Sequence, residues 1–467
     1  MKNYVGLDLG TSSVKVLQRF ENGETRKVSR KYDSPLPGGW SEAAVQALAS
    51  LDLSETCGIG LSSQVGTYLV DGCRVISWND SAGEDEIDQI LALRQGAAWE
   101  EEISMRHPRL ISYPLPRLLY ILRHIPEAQH VCQPKEFLLT VLTGEEKTDP
   151  WSWRGLCRVP GGPYSTSLLK EIGADAGLLP RISGPEEKAG VTRSIHCGSG
   201  RIPPGIPVFT GMNDFFASLL GMGMHPGELF DITGTSEHWG SIEDQYRPEE
   251  QMVNGPWLTG YAHYGVTASS GASLNFGGRL DEELFQLRTR EEAEAVLREM
   301  AQKRPPVFLP YLNGERAPIW NPEARGVFFG ISGSSSPREL AYAVMEGVCF
   351  SLMHIHQTLG DPQSSLIRVS GGASANPLMN RMKAELFQKQ VAVPAEKDTS
   401  ALGAAMTAMV GNGRYDGWQE AMEAECRTET AVFPTGEWTE WLHSRYSIYR
   451  ELYPALKTLM KEWRNLI

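Results

Sequence analysis

Short runs in which apolar and polar residues alternate open the chain: Tyr4 to Leu9, Val14 to Phe20 and Thr25 to Tyr32, with Glu21-Asn22-Gly23-Glu24 between the last two. A period of two predicts half-buried strands, and the Asn-Gly pair predicts the tight turn that joins them. The expectation is an antiparallel meander opening an α/β domain. Cys57 to Ser62, Thr67 to Val70 and Arg74 to Trp78 continue the strand pattern, the last two linked by Asp71-Gly72. The period then becomes helical over Leu115, Leu118, Leu119, Ile121 and Leu122, a segment bracketed by Pro114, Pro116 and Pro126. Val208-Phe209-Thr210 predicts a short strand ending at Gly211, and Phe215 to Gly223 a helix with Asn213 or Asp214 as its N-cap.

The second half repeats this plan. Strand, turn and strand are predicted over 228–242, a Ser/Gly-rich segment over 269–273, and a long helix from about 337 to 360. Ile367 to Ser370 reads as a strand running into Gly371-Gly372-Ala373-Ser374-Ala375-Asn376, with a helix from Pro377 to Gln388. The pattern breaks between Gly223 and Gly227, which predicts two domains, 1–224 and 225–467. The tail from Glu437 to Leu466, with Trp438, Trp441, Tyr446, Tyr449, Leu452, Leu456 and Met460, predicts a terminal amphipathic helix or helix pair whose aromatics cover a core.

One motif recurs across the two halves: Asp8-Leu9-Gly10-Thr11-Ser12 and Asp231-Ile232-Thr233-Gly234-Thr235-Ser236. Each ends a strand and turns through glycine and hydroxyl residues. Such turns present backbone N–H groups and hydroxyls to phosphate, because glycine lets the backbone approach closely and the amides form an anion-binding nest. Taken singly they are also ordinary hairpin chemistry. A separation of some 220 residues is too long for a solenoid repeat and suits a duplicated domain.

Composition narrows the class. At 467 residues and 41% hydrophobic content the chain can build two sizeable cores. No run approaches the roughly 20 apolar residues that cross a bilayer, and the first residues carry no cleavage-site pattern. Seven cysteines without Cys-x-x-Cys spacing support neither a disulfide framework nor a zinc site, so the expected home is the cytoplasm. A net charge of −13 opposes nucleic-acid binding. A nucleotide would have to be held by turns and by Mg²⁺ rather than by a basic surface.

These segments together resemble the FGGY family of carbohydrate kinases, in the actin-like ATPase superfamily, over nearly the whole chain. Gly6 to Lys15 is similar to the family's first phosphate motif, Gly234-Thr235-Ser236 to its second, and Gly371 to Asn376 to its adenosine motif. Pro310 to Pro318 followed by Arg325 to Gly330 resembles a further family segment. The resemblance implies two ribonuclease H-like α/β domains flanking a central cleft, with ATP held mostly by the C-terminal nucleotide-binding domain and the sugar by the N-terminal one. It further implies ATP-dependent phosphorylation of a sugar or polyol hydroxyl, with Mg²⁺ as cofactor. A nucleotide-binding sugar sensor or regulator with little kinase activity, and an actin-like or chaperone-like ATPase, are the alternatives. Relatives are frequently homodimers, and nothing in this chain locates an interface.

Residue by residue, the resemblance places Asp8 near the metal, a role that suits a hard cation keeping several waters. Thr11, Ser12, Ser13 and Lys15 would line the first phosphate grip, with Thr235 opposite. Gly271 and Asn275 would approach the nucleotide, and Gly372 and Asn376 the adenosine; turn geometry and a helix N-cap are the plain alternatives for these. Asp214, in Gly211-Met212-Asn213-Asp214, would be the catalytic base, kept ionised by nearby amides and the helix dipole, unless it only caps the helix.

Gln64, Trp78, Asp80 and Asp214 are the expected acceptor contacts. Three departures bear on the acceptor: Gly66 stands where xylulokinases have His, Ala82 where Arg is frequent, and Phe215 where relatives carry Asn or Gln. Lost donors leave sugar hydroxyls unpaired, which argues against xylulose and glycerol. Trp40 and Trp239 read as structural, and His354 and His356, two apart on a helix, do not face one another.

Overall fold

The structure, a computed structural model, describes residues 1–32, 34–106, 108–198, 200–248 and 251–464. The chain divides into two compact units: one of residues 1–223, 255–259 and 398–426, the other of 224–254, 260–397 and 427–467.

The first unit is built on a six-stranded sheet. Its order is Lys188–Val191, Pro207–Asn213, Thr56–Ser63, Asn3–Leu9, Ser13–Phe20, Thr25–Lys31. The last three form the expected antiparallel meander, Thr56–Ser63 and Pro207–Asn213 add in parallel, and Lys188–Val191 closes the edge antiparallel. One face packs Val5, Leu7 and Leu9 against the helices Pro37–Ala49 and Pro134–Thr143. The other receives the helix Thr399–Gly411, and it can seat so closely only because Gly6 has no Cβ to collide with the Ala401 carbonyl.

In the second unit, six neighbouring strands of one mixed sheet run in the order Gly260–Val266, His238–Glu243, Leu229–Thr233, Leu366–Gly371, Gln390–Pro394, Thr428–Val432. Antiparallel meander, two parallel additions and an antiparallel edge recur in the same sequence. Two ribonuclease H-like domains in one chain are therefore a property of the topology as well as of the motifs.

Three boundaries differ from the sequence pattern for visible reasons. The strand expected to stop at Gly211 continues to Asn213, because Gly211 takes φ 69° and the pairing with Thr56–Ser63 slips there as a bulge. The strand expected to reach Trp78 stops at Ile76, since the carbonyls of Ser77, Trp78 and Asp80 turn toward the buried Arg117. The tail is one helix, Thr439–Arg464, with Trp438, Leu442, Tyr446, Tyr449 and Leu452 in the core; residues 465 and 466 of the expected tail lie outside the described residues. Trp40 and Trp239 are fully buried, and Trp239 stacks on Phe387.

Candidate active site

Asp8 is the penultimate residue of its strand, and its side chain faces the helix Thr399–Gly411. The Ser62 hydroxyl donates to Oδ1 at 2.9 Å and the Ser400 hydroxyl to Oδ2 at 2.6 Å. Burial pushes the carboxyl above its ordinary value, against the pull of those two hydroxyls and of Lys15. Lys15 sits directly across the hairpin, and its ammonium is paired with Asp398 at 2.7 Å. The turn between them is closed by the Gly10 N–H on the Ser13 carbonyl at 3.0 Å, leaving Thr11 and Ser12 exposed and Ser13 half-buried.

The bulge at Gly211 delivers Asp214 beside this carboxylate. Asn213 is the N-cap of the helix Asp214–Met222: its Oδ1 accepts the Phe216 N–H at 3.1 Å, and its Nδ2 donates to the Trp151 carbonyl at 3.0 Å. Asp214 is thereby relieved of the capping role. Its carboxylate accepts the Phe215 N–H at 2.8 Å and the Val65 N–H. The expectation that amides would hold it firmly ionised is overturned. Burial first, and the Asp8 charge second, outweigh the amides and push the carboxyl up to about 7.

Among the expected acceptor residues, Gln64 lies in this neighbourhood, its N–H on the Leu9 carbonyl at 2.9 Å and its Oε1 buried without a partner. Gly66 takes φ 81°, and a Cβ there would come within 2.8 Å of the Ser112 Cβ, so this backbone has no room for the histidine of the resembling motif. Trp78 is half-buried and Asp80 exposed, its Oδ1 accepting the Ala82 N–H at 2.8 Å. Both ride on Arg117, whose Nη2 donates to three carbonyls of that turn at 2.9 to 3.4 Å. Sequence reasoning missed Arg117; its apolar helical setting gives no local sign of a buried charge.

In the second unit the turn is anchored from below. The Gly271 N–H donates to the Thr235 carbonyl at 3.1 Å, and a Cβ on Gly271 would meet Gly234 and Thr235 backbone atoms at 2.6 and 2.7 Å. Thr235 and Asn275 are exposed. Gly372 faces open space, while Asn376 is the N-cap of Pro377–Phe387, accepting the Leu378 and Met379 N–H groups and donating to the Leu284 carbonyl. Asp231 forms a buried ion pair with Lys383, which also lies 3.5 Å from Glu237. Burial, with Asp231 close by, raises Glu237 above its ordinary value. His354 and His356 are held well below their ordinary value, at about 4, by burial.

The oxygen-only donors around Asp8, with a second carboxylate repelling it, fit a hydrated hard cation. Elsewhere among the described residues His130, Cys132 and Glu146 place donor atoms within 4.8 Å of one another. There the His130–Glu146 ion pair at 2.7 Å already satisfies the two half-buried members, and burial holds the Cys132 thiol protonated.

Duplicated ribonuclease H-like units, each with a Gly-hydroxyl turn, define the actin-like ATPase fold. Residues 230–411 match the C-terminal domain of the FGGY family of carbohydrate kinases. Along its whole length the chain is 25% identical to a xylulose kinase of Bacillus subtilis (strain 168), with 100% of both chains covered. It is 26% identical to a glycerol kinase of Alkalilimnicola ehrlichii over 87% of this chain and 90% of that one. A solved xylulose kinase from Lactobacillus acidophilus superposes with a TM-score of 0.81 at 21% identity, covering 99% of this chain and 100% of that one. The chain is thus similar along its whole length to carbohydrate kinases. Among the described residues no helix is long and apolar enough to cross a membrane.

Proposed function

We propose that the chain transfers the terminal phosphoryl group of ATP to a hydroxyl of a sugar or polyol, with Asp214 as general base and Asp8 as the residue that would hold Mg²⁺. The single observation that carries the reading is the Asp214 carboxyl: it is released from capping by Asn213 and pushed up to about 7 beside a second carboxylate. A base works best when its pKa lies near the working pH. In the transfer, the acceptor oxygen forms a bond to the terminal phosphorus as the bridging P–O bond breaks and ADP leaves. The hydroxyl proton passes to Asp214.

Phosphoryl transfer asks the protein mainly for position and charge, and bound Mg²⁺ supplies neutralisation of the phosphate oxygens. The chain's own part in that is the orientation of Asp8, fixed by Ser62 and Ser400. Thr11, Ser12, Ser13 and Lys15 in the first unit, and Thr235, Gly271, Asn275, Gly372 and Asn376 in the second, are the proposed nucleotide contacts. Gln64, Trp78 and Asp80 are those proposed for the acceptor. The lack of space at Gly66 supports an acceptor whose hydroxyl pattern differs from that of xylulose.

The test is ADP release from Mg-ATP over a panel of ketopentoses, ketohexoses, heptuloses, sugar acids and polyols. The expected result is a rate that depends on one acceptor class and falls about 10²-fold or more in Asp214→Asn, with nucleotide binding kept. Nucleotide binding without stimulation by any member of the panel would favour the sensor reading.

A further inference from the structure

We infer that Arg316 is the cation that receives the terminal phosphate of the bound nucleotide. The inference rests on the nucleotide reading proposed above and adds to it a residue that the motifs did not single out. Arg316 lies in the Asn313-Gly314-Glu315-Arg316 segment, and its Nη1 donates to the Ser236 hydroxyl at 3.1 Å, at the far end of the Gly234-Thr235-Ser236 turn. Among the described residues that is its one side-chain hydrogen bond, and no carboxylate pairs with it. Its neighbour Glu315 is occupied elsewhere. That carboxylate accepts the backbone N–H groups of Ala268 at 2.6 Å and Arg316 at 2.8 Å. Burial pushes the Glu315 carboxyl up to about 7, so it offers Arg316 a reduced counter-charge at neutral pH.

The geometry gives the site a direction. The near end of the turn touches the segment that resembles an adenosine motif: Thr233 pairs with Gly371, and its hydroxyl accepts the Ala373 N–H at 2.9 Å. The far end touches Arg316. A nucleotide whose base end lies at Gly372 and whose phosphates follow the turn therefore brings its last phosphate to the guanidinium. A second cation near this turn, Lys383, is consumed by Asp231 and Glu237 beneath it. Arg316 is then the group placed to bind the charge that a triphosphate has and a diphosphate lacks, and a planar fork of donors matches phosphate oxygens.

The experiment compares binding of Mg-AMP-PNP and Mg-ADP by calorimetry to the full chain, as wild type, Arg316→Gln and Arg316→Lys. Arg316→Gln is expected to weaken AMP-PNP about 10-fold or more, the size of a hydrogen bond to a charged group, and ADP by less than about 3-fold. Arg316→Lys keeps the charge without the fork and is expected to recover part of the AMP-PNP affinity. It also serves should the Gln variant lose its fold. Equal loss for both nucleotides, or loss for neither, would overturn the assignment while leaving the kinase reading intact. Failure of the wild type to bind either nucleotide would remove the nucleotide reading and this inference with it.

Discussion

The two halves share one topology and a nearly identical turn, yet their aspartates have opposite fates. Counted back from the glycine of each turn, Asp8 stands two residues before Gly10 and Asp231 three before Gly234. Side chains alternate along a strand, so an offset of one residue sends the two carboxylates to opposite faces of their sheets. Asp8 emerges beside Ser62 and Ser400, with a second carboxylate as neighbour and, among the described residues, no buried cation paired with it. Asp231 enters the core and is neutralised by Lys383. The duplicated scaffold thus carries one half in which carboxylates are kept under electrostatic tension and another in which the charge serves the fold.

Lys383→Met would break this contrast most severely, because it leaves Asp231 and Glu237 buried without a cation. A loss of about 3–5 kcal/mol in unfolding free energy is expected by denaturant titration. Adding Asp231→Asn to that variant should restore much of the loss, since the uncompensated charge goes with it. Asp8→Asn should act in the other direction and weakly. A carboxyl whose folded pKa is raised contributes stability below its unfolded pKa and loses it as pH rises through the folded one, so at neutral pH the Asp8 charge is a cost. Neutralising it is expected to raise stability by up to about 1 kcal/mol, even as catalysis suffers. A large destabilisation in Asp8→Asn would mean that the two aspartates play the same role after all.

Much of the scaffold was legible because it is written locally. The first meander, the hairpin at 228–242 and the helices following Asn213 and Asn376 all follow from period, turn residues and caps. The opening motif was legible as a repeat but not in its meaning, because the face on which Asp231 lies depends on one residue of offset and on Lys383, 152 residues away. The environment of Asp8 is likewise set at a distance: Ser400 reaches it across 392 positions. Local sequence left Asn213 and Asp214 equivalent as caps, and the bulge at Gly211 settles which one performs that task. Arg316 and Arg117 escaped notice because a guanidinium held by backbone carbonyls or a hydroxyl leaves no periodic trace.

As the proposed base, Asp214 is held near the working pH by burial and by the repulsion of Asp8. The measurement that decides this is the pH dependence of kcat/KM for the acceptor found in the panel, which reports the groups of the free enzyme. A base with its pKa raised to about 7 predicts a plateau above that pH and a tenfold fall per unit below it. The same limb should be missing from the residual rate of Asp214→Asn. A wild-type profile that stays flat down to about pH 5, near the ordinary carboxylate range, would contradict the account.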